Sequence, residues 1–208
     1  MSVLVPRMSY SSEEVRVWLS KCAARMIASS AELNALDAKL GDGDLGATLE
    51  KCGELMQVAI TDHRDTPSDH FKACAKACSR ASGSSFGTLM AVAFMTIAKE
   101  TVGRDKIEAC EVVDYIDTVN KALLSRGRSN LGDKTALDSL EAIRAEIAAR
   151  GVSTNLHEIA HQAAVKAIKD FRDLPNKIGR ARMFADKSIG LEDPGMVAVL
   201  RIIGPLDG

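Results

Sequence analysis

Three carboxylates fall within eight residues at Asp37-Ala-Lys-Leu-Gly-Asp42-Gly-Asp44, on a chain broken by Gly41, Gly43 and Gly46. A straight helix would set Asp37 and Asp42 on different sides. Glycine adopts positive φ at little cost, so the chain can fold back and bring all three carboxylates to one point. Without a cation they repel and raise one another's pKa. With Mg²⁺, a hard cation that prefers oxygen, they make a site with positions left for water and phosphate. The plain alternative is a solvated acidic turn between two helices. An EF-hand loop does not fit, because Gly46 and Ala47 stand where a ligand and a glycine are required and Gly53 replaces the bidentate Glu.

Three further segments share one design. Ser79-Arg-Ala81-Ser82-Gly83-Ser84-Ser85 precedes the apolar run from Leu89 to Ile97. Gly127-Arg-Ser-Asn-Leu-Gly132-Asp133-Lys134-Thr135 precedes Ala136-Leu137-Asp138. Asp193-Pro194-Gly195 precedes the run from Met196 to Ile203. Each is a cluster of small and polar residues that opens a helix, and Asp193-Pro194 reads as an N-cap followed by proline at the first helical position. Helix starts present N–H groups and a positive dipole end to phosphate. One such start is ordinary capping; four beside an acidic turn point to a nucleotide site at one end of a helical bundle.

Two further motifs point to other chemistry. Gly127-x-x-x-x-Gly132-Asp133-Lys134-Thr135 nearly spells a P-loop, but Asp133 interrupts it and no strand precedes it. A loop touching adenine or ribose fits it better. His157-Glu158-Ile-Ala-His161 spells a zinc-peptidase motif. Leu156, Ile159, Ala160, Ala163, Ala167 and Phe171 define the apolar face of that helix. His157, Glu158, His161 and Gln162 then fall on its polar side with no third histidine, against zinc ligation.

The elements that must position these groups are helical. Ser11-x-x-Glu14 reads as a capping box. Behind it Val15, Trp18, Leu19, Cys22 and Met26 recur at helical spacing. Similar patterns cover 30–40, 47–62, 69–80, 86–101, 107–125, 135–150, 155–172 and 194–203. Alternating strand patterns are absent, and 173–193 is the longest irregular stretch, of the kind that carries function. The expectation is an all-α bundle forming one domain over 1–208. The 208 residues carry 27 Lys plus Arg against 28 Asp plus Glu, a balance that gives no reason to expect nucleic-acid or membrane-surface partners. No apolar run is long enough for a transmembrane helix, and Met1-Ser-Val-Leu-Val-Pro6 lacks a signal-peptide layout. The five scattered cysteines fit reduced thiols in a cytoplasmic protein, with Cys74 and Cys78 packed in the core.

Taken in order, the segments resemble the nucleotide-binding L subunit of dihydroxyacetone kinases, the DAK2 domain. The family's Leu-Asp-x-x-x-Gly-Asp-x-Asp-His-Gly reads here Leu36-Asp37-Ala-Lys-Leu-Gly41-Asp42-Gly-Asp44-Leu45-Gly46. Its Gly-Gly-Ala-Ser-Gly reads Ser79-Arg80-Ala81-Ser82-Gly83. Its Ser-Arg-Gly and Gly-Asp-Lys-Thr-Met read Ser125-Arg126-Gly127 and Gly132-Asp133-Lys134-Thr135-Ala136. Its Gly-Arg-Ala and Ser-Ile-Gly-x-x-Asp-Pro-Gly match Gly179-Arg180-Ala181 and Ser188-Ile189-Gly190-Leu-Glu-Asp193-Pro194-Gly195.

The resemblance implies an antiparallel barrel of about eight helices with the nucleotide at one end. It implies two Mg²⁺ ions on Asp37, Asp42 and Asp44, bridging the phosphates of ADP or ATP. Leu45, Gly46, Ala47, Thr48, Ala81, Ser82 and Gly83 then lie around the phosphates, and Gly127, Ala136, Arg180, Asp193, Pro194 and Gly195 around base and ribose. It further implies a ketose kinase that is inactive alone. The ketose, dihydroxyacetone or another such as a tetrulose, sits on a separate K-type subunit. The phosphoryl source is ATP in one branch and a phosphotransferase-system protein in the other. A homodimer and a non-catalytic regulatory module are the remaining alternatives. The chain departs from the pattern at Leu45 for histidine, Ser79-Arg80 for two glycines, Ser84 for proline and Ala136 for methionine. All three metal carboxylates are retained.

Overall fold

A computed structural model describes residues 9–61, 66–81, 85–127, 129–151 and 155–205. Strand β1 (Ser9–Ser11) leads into α1 (Ser12–Ala28), α2 (Ser30–Asp37), α3 (Leu45–Ile60), α4 (Pro67–Ala81) and α5 (Ser85–Glu100). Strand β2 (Lys106–Glu108) and a 3₁₀ turn (Ala109–Glu111) precede α6 (Val112–Gly127), α7 (Ala136–Arg150) and α8 (Leu156–Phe171). A second 3₁₀ segment (Arg180–Ser188) and α9 (Pro194–Ile203) follow.

The start of α1 is the expected capping box, with the Ser11 hydroxyl accepting from the Glu14 N–H and the Glu14 carboxylate accepting from the Ser11 N–H. Val15, Leu19, Cys22 and Met26 line its buried face. Trp18, expected on that face, flanks it instead and is 40 % exposed. The helix expected over 107–125 begins only at Val112, since Ile107 pairs with Tyr10 in a two-stranded antiparallel ribbon. That ribbon is the one sheet among the described residues and leaves the all-α architecture intact. Two strands of three residues are too short to show alternation. Within 173–193, expected to be irregular, Arg180–Ser188 is a 3₁₀ helix.

Consecutive helices from α3 to α9 pack side by side, and the ring closes where α9 meets α1 and α2 and α1 meets α3. Short connections between side-by-side helices require up-and-down topology. The starts of α3, α5 and α7 therefore share one end of the bundle, and the contact of Gly195 with Ala136 sets the start of α9 beside that of α7. The core runs through every helix, from Leu19 and Met26 in α1 through Leu49 and Met56 in α3 to Ile147, Ile159 and Met196. Cys22, Cys52, Cys74 and Cys78 are buried in it as free thiols. Burial raises the Cys22 thiol to about 12, so it packs as a small apolar group. No helix among the described residues is long and apolar enough to cross a membrane.

Candidate functional site

The acidic segment folds back as its glycines require. Helix α2 ends at Asp37, and the chain turns through Lys39 and Leu40, whose N–H groups donate to the carbonyls of Leu36 and Asp37. Leu40 is fully buried and pins the turn to the core, a burial worth about 1.5–3 kcal/mol. Gly43 takes φ +76°, in the left-handed region that favours glycine. One ligand oxygen from each of Asp37, Asp42 and Asp44 then lies within 4.8 Å of the others. This is the single such cluster of metal-ligating side chains among the described residues. Asp42 and Asp44 are exposed and Asp37 half-buried, so the cluster faces solvent.

Asp37 also organises the helix behind it. Its Oδ2 accepts the N–H of Asp44 at 3.0 Å and that of Leu45 at 3.4 Å. Asn34, one turn earlier on α2, accepts the Ala47 N–H at 3.0 Å. The start of α3 is thus capped by side chains of α2. Close approach depends on Gly46, where a Cβ would lie 1.9 Å from the Ser30 carbonyl oxygen. At Gly41 a Cβ would meet Asp37 Oδ1 at 2.6 Å. Leu45, where the family pattern has histidine, turns its side chain into the core.

The second concentration of polar groups joins α7, α9 and the segment between α8 and α9. Thr135 caps α7, and Asp138 accepts from the N–H groups of Thr135 at 2.7 Å and Gly132 at 2.6 Å. Lys134 is the one described non-glycine residue with positive φ, +62°. Its side chain is fully buried, and its ammonium donates to the carbonyls of Arg172 at 3.0 Å, Leu174 at 2.7 Å and Ser188 at 2.9 Å. Asn176 donates through Nδ2 to the Lys134 carbonyl at 2.9 Å and to Asp193 Oδ2 at 2.7 Å. Asp193 is the expected N-cap of α9, accepting from the Met196 N–H at 2.9 Å. Burial pushes its carboxyl up to about 6, against the lowering effect of its hydrogen bonds and of Lys134. Burial also lowers the Lys134 pKa, opposed by Asp193 and Asp173.

Among the other expected contacts, Ala136 and Gly195 meet: a Cβ on Gly195 would lie 3.6 Å from Ala136 Cβ. Pro194 opens α9 beside them. Thr48 lies in the first turn of α3, Ala81 ends α4 and Gly127 ends α6. Arg180 opens the second 3₁₀ segment. Ser82 and Gly83 lie outside the described residues. The P-loop resemblance fails structurally, because Lys134 is consumed by backbone carbonyls. His157 and His161 do not join a metal cluster among the described residues. His157 Nε2 instead bonds the carbonyls of Gly204 at 3.0 Å and Pro205 at 3.2 Å, tying α8 to the end of α9. Sequence reasoning missed Asn34, the internal role of Lys134, and Asn176. Only Thr135-x-x-Asp138 carried a readable signal, as a capping box.

A family model described as the DAK2 domain matches residues 39–206. The ADP-binding subunit DhaL of PEP-dependent dihydroxyacetone kinase 1 from Listeria innocua is 26 % identical, covering 90 % of this chain and 91 % of that protein. The ADP-binding subunit DhaL of the PTS-dependent dihydroxyacetone kinase of Lactococcus lactis is 28 % identical, covering 86 % of this chain and 87 % of that protein. The crystal structure of the dihydroxyacetone kinase from C. freundii in complex with AMP-PNP and Mg²⁺ matches with a TM-score of 0.71 at 22 % identity. That match covers 98 % of this chain and 35 % of the other, and establishes a common all-helical fold.

Proposed function

We propose, from the premise that the chain belongs to the DAK2 domain family, that it is the nucleotide-binding subunit of a dihydroxyacetone-type kinase. The observation that carries the reading is the convergence of Asp37, Asp42 and Asp44, with ligand oxygens within 4.8 Å, at the bundle end where α3, α5, α7 and α9 begin. The donors are hard, anionic and open to solvent, which fits Mg²⁺ rather than a soft metal. Two Mg²⁺ ions held there would neutralise the charge of the nucleotide phosphates.

The chain's own residues divide the remaining work. Asp37 holds the turn and the start of α3 together while offering its other oxygen to the metal cluster. Leu45 and Ala47 N–H groups are taken by Asp37 and Asn34. Phosphate at this helix start therefore falls to the Gly46 N–H and the Thr48 hydroxyl. Ala81, the last residue of α4, is assigned to the phosphate side; Ser82 and Gly83, assigned there by the family pattern, lie outside the described residues. Gly127, Ala136, Arg180 and Asp193-Pro194-Gly195 surround base and ribose, and Ala136 and Gly195 bring the starts of α7 and α9 into close contact there. Arginine at position 180 is a residue type suited to phosphate or ribose oxygens.

The ketose binds on a K-type partner subunit. The two relatives matched over most of their length are both named ADP-binding subunits of PEP- or PTS-dependent kinases. That supports bound ADP, recharged by a phosphotransferase-system protein, over exchange with free ATP. Calorimetric titration of ADP and ATP, each with and without Mg²⁺, tests the reading. Mg²⁺-dependent ADP binding at one site per chain is expected; equal affinity without the metal, or no binding, refutes it.

A further inference from the structure

Lys134 presents an unusual combination for an ionised side chain. It is fully buried, sits at positive φ, and its ammonium contacts three backbone carbonyls. A buried ammonium is strongly disfavoured unless its donors are satisfied. Lysine has three such donors, and Arg172, Leu174 and Ser188 accept all three. The left-handed backbone adds a steric cost at a non-glycine residue. A solvated lysine elsewhere on the surface would avoid both penalties, so the arrangement needs a reason in what it holds.

What it holds is specific. Arg172 and Leu174 mark the end of α8, and Ser188 ends the 3₁₀ segment that begins at Arg180. Lys134 itself lies two residues before Ala136. The Lys134 carbonyl is bound by Asn176, which also binds Asp193, the cap of α9. Asn176 is fixed in turn by its N–H donating to the Ser188 hydroxyl at 2.8 Å. Lys177 adds two more ties to the same loop, its N–H to the Asp133 carbonyl at 3.1 Å and its ammonium to the Gly132 carbonyl at 2.9 Å. The three stretches that carry Ala136, Arg180 and Asp193-Pro194-Gly195 thus meet at one cation. None of these ties reaches the acidic turn at Asp37–Asp44.

We propose that Lys134 is a positioning residue of the nucleotide site. As an internal cation it clamps the 172–190 segment onto the starts of α7 and α9 and sets the base-and-ribose half independently of the metal half. The proposal deepens the nucleotide-binding reading and rests on it. A pocket wall assembled from three separate stretches must be held to within a fraction of an ångström to bind a rigid base well, and small misplacements cost affinity steeply. A neutral substitute such as methionine fills the volume but removes the one donor the three carbonyls share: those of Arg172 and Ser188 keep only the N–H groups of Gly190 and Leu191, and that of Leu174 loses its ammonium donor. The 172–190 segment then loosens while the α2–α3 turn, held by Asp37 and Asn34, stays in place.

The test uses the full chain and its Lys134→Met variant. Wild type is first titrated with ADP in the presence of Mg²⁺; absence of binding there removes the nucleotide reading itself, and with it the premise. Given wild-type binding, Lys134→Met should weaken Mg²⁺-dependent ADP binding by about tenfold or more. The affinity for Mn²⁺ alone, read by paramagnetic resonance at the carboxylate cluster, should stay within about twofold, a split that a general loss of structure would not give. Without nucleotide, trypsin should cut after Arg180, Arg182 or Lys187 several times faster than in wild type, whereas sites on α1 and α6 should not change. Should Lys134→Met fail to fold, Asn176→Ala, which deletes two ties of the same knot and no charge, reads the same split. ADP affinity unchanged in a folded variant, or ADP and Mn²⁺ affinities falling together, overturns the proposal.

Discussion

Asp42 offers one oxygen to the acidic cluster proposed to hold Mg²⁺, in a turn that Leu40 pins to the core and Gly43 bends. Asp42→Asn should therefore abolish Mg²⁺-dependent nucleotide binding and leave the helical circular-dichroism signal intact. An unchanged ADP affinity would remove Asp42 from the metal site. Asp193 makes a different prediction. Burial holds its carboxyl at about 6, above the ordinary 3.8, so the folded protein keeps that proton more tightly than the unfolded chain does. Its contribution to stability is fully present below about 4 and is lost as pH rises through about 6, a change on the order of 3 kcal/mol. Asp193→Asn retains an N-cap of comparable strength. It should flatten the dependence of melting temperature on pH between about 4 and 7 relative to wild type. Parallel wild-type and mutant profiles would show that the Asp193 proton is not linked to folding.

At the scale of elements, helix α3 is positioned by the close approach of α2, and Gly46 is where the two touch. A Cβ there would overlap the Ser30 carbonyl, which belongs to the backbone and cannot swing aside. Gly46→Ala should cost about 1–3 kcal/mol in denaturant unfolding and weaken Mg²⁺ binding by moving the start of α3 away from Asp37. Equal stability would mean that the helices part without consequence. The pair His157 and His161 acts at the far side of this logic. With His157 bonded to the carbonyls after α9, the double change to alanine should lower the melting temperature slightly and leave nucleotide affinity untouched. Loss of a stoichiometric zinc ion with activity would restore the peptidase motif. Helices of three or four turns were legible because their apolar spacing is regular and their caps, at Ser11, Thr135 and Asp193, carry side chains that name their role. The short ribbon of Tyr10 with Ile107 was not, because its register is fixed by a partner about 100 residues distant. Glycine and aspartate spacing made the convergence of the acidic turn readable, while leaving a solvated turn as the alternative to a metal site. The Lys134 knot was not, since a lysine in a Gly-Asp-Lys-Thr string looks like a phosphate ligand until the tertiary fold shows carbonyls around it.

For the whole molecule, up-and-down topology gathers four helix starts at one end, so the nucleotide reading predicts where the molecule must be approached. No constellation for a ketose was visible in the sequence. Phosphoryl transfer relies chiefly on positioning and electrostatic stabilisation, so a metal–nucleotide site without an aligned acceptor hydroxyl should give at most slow hydrolysis. The purified chain should bind nucleotide yet phosphorylate no ketose until a K-type subunit is added. Docking has to bring that acceptor to the terminal phosphate, which places the partner at the helix-start end. The 3₁₀ segment offers the side chains for it: Arg182 and Lys187 are exposed, and Met183, 73 % exposed, lies between them in sequence. Charge reversal of both, Arg182→Glu with Lys187→Glu, should slow the coupled reaction severalfold at low ionic strength and lose part of that effect at high salt, as steering by exposed charges does. ADP affinity should not change, because neither residue is among those proposed to surround base and ribose. Robust kinase activity from the chain alone, with contaminating subunits excluded, would overturn the two-subunit reading. Coupling unaffected by the double reversal would move the interface away from this segment.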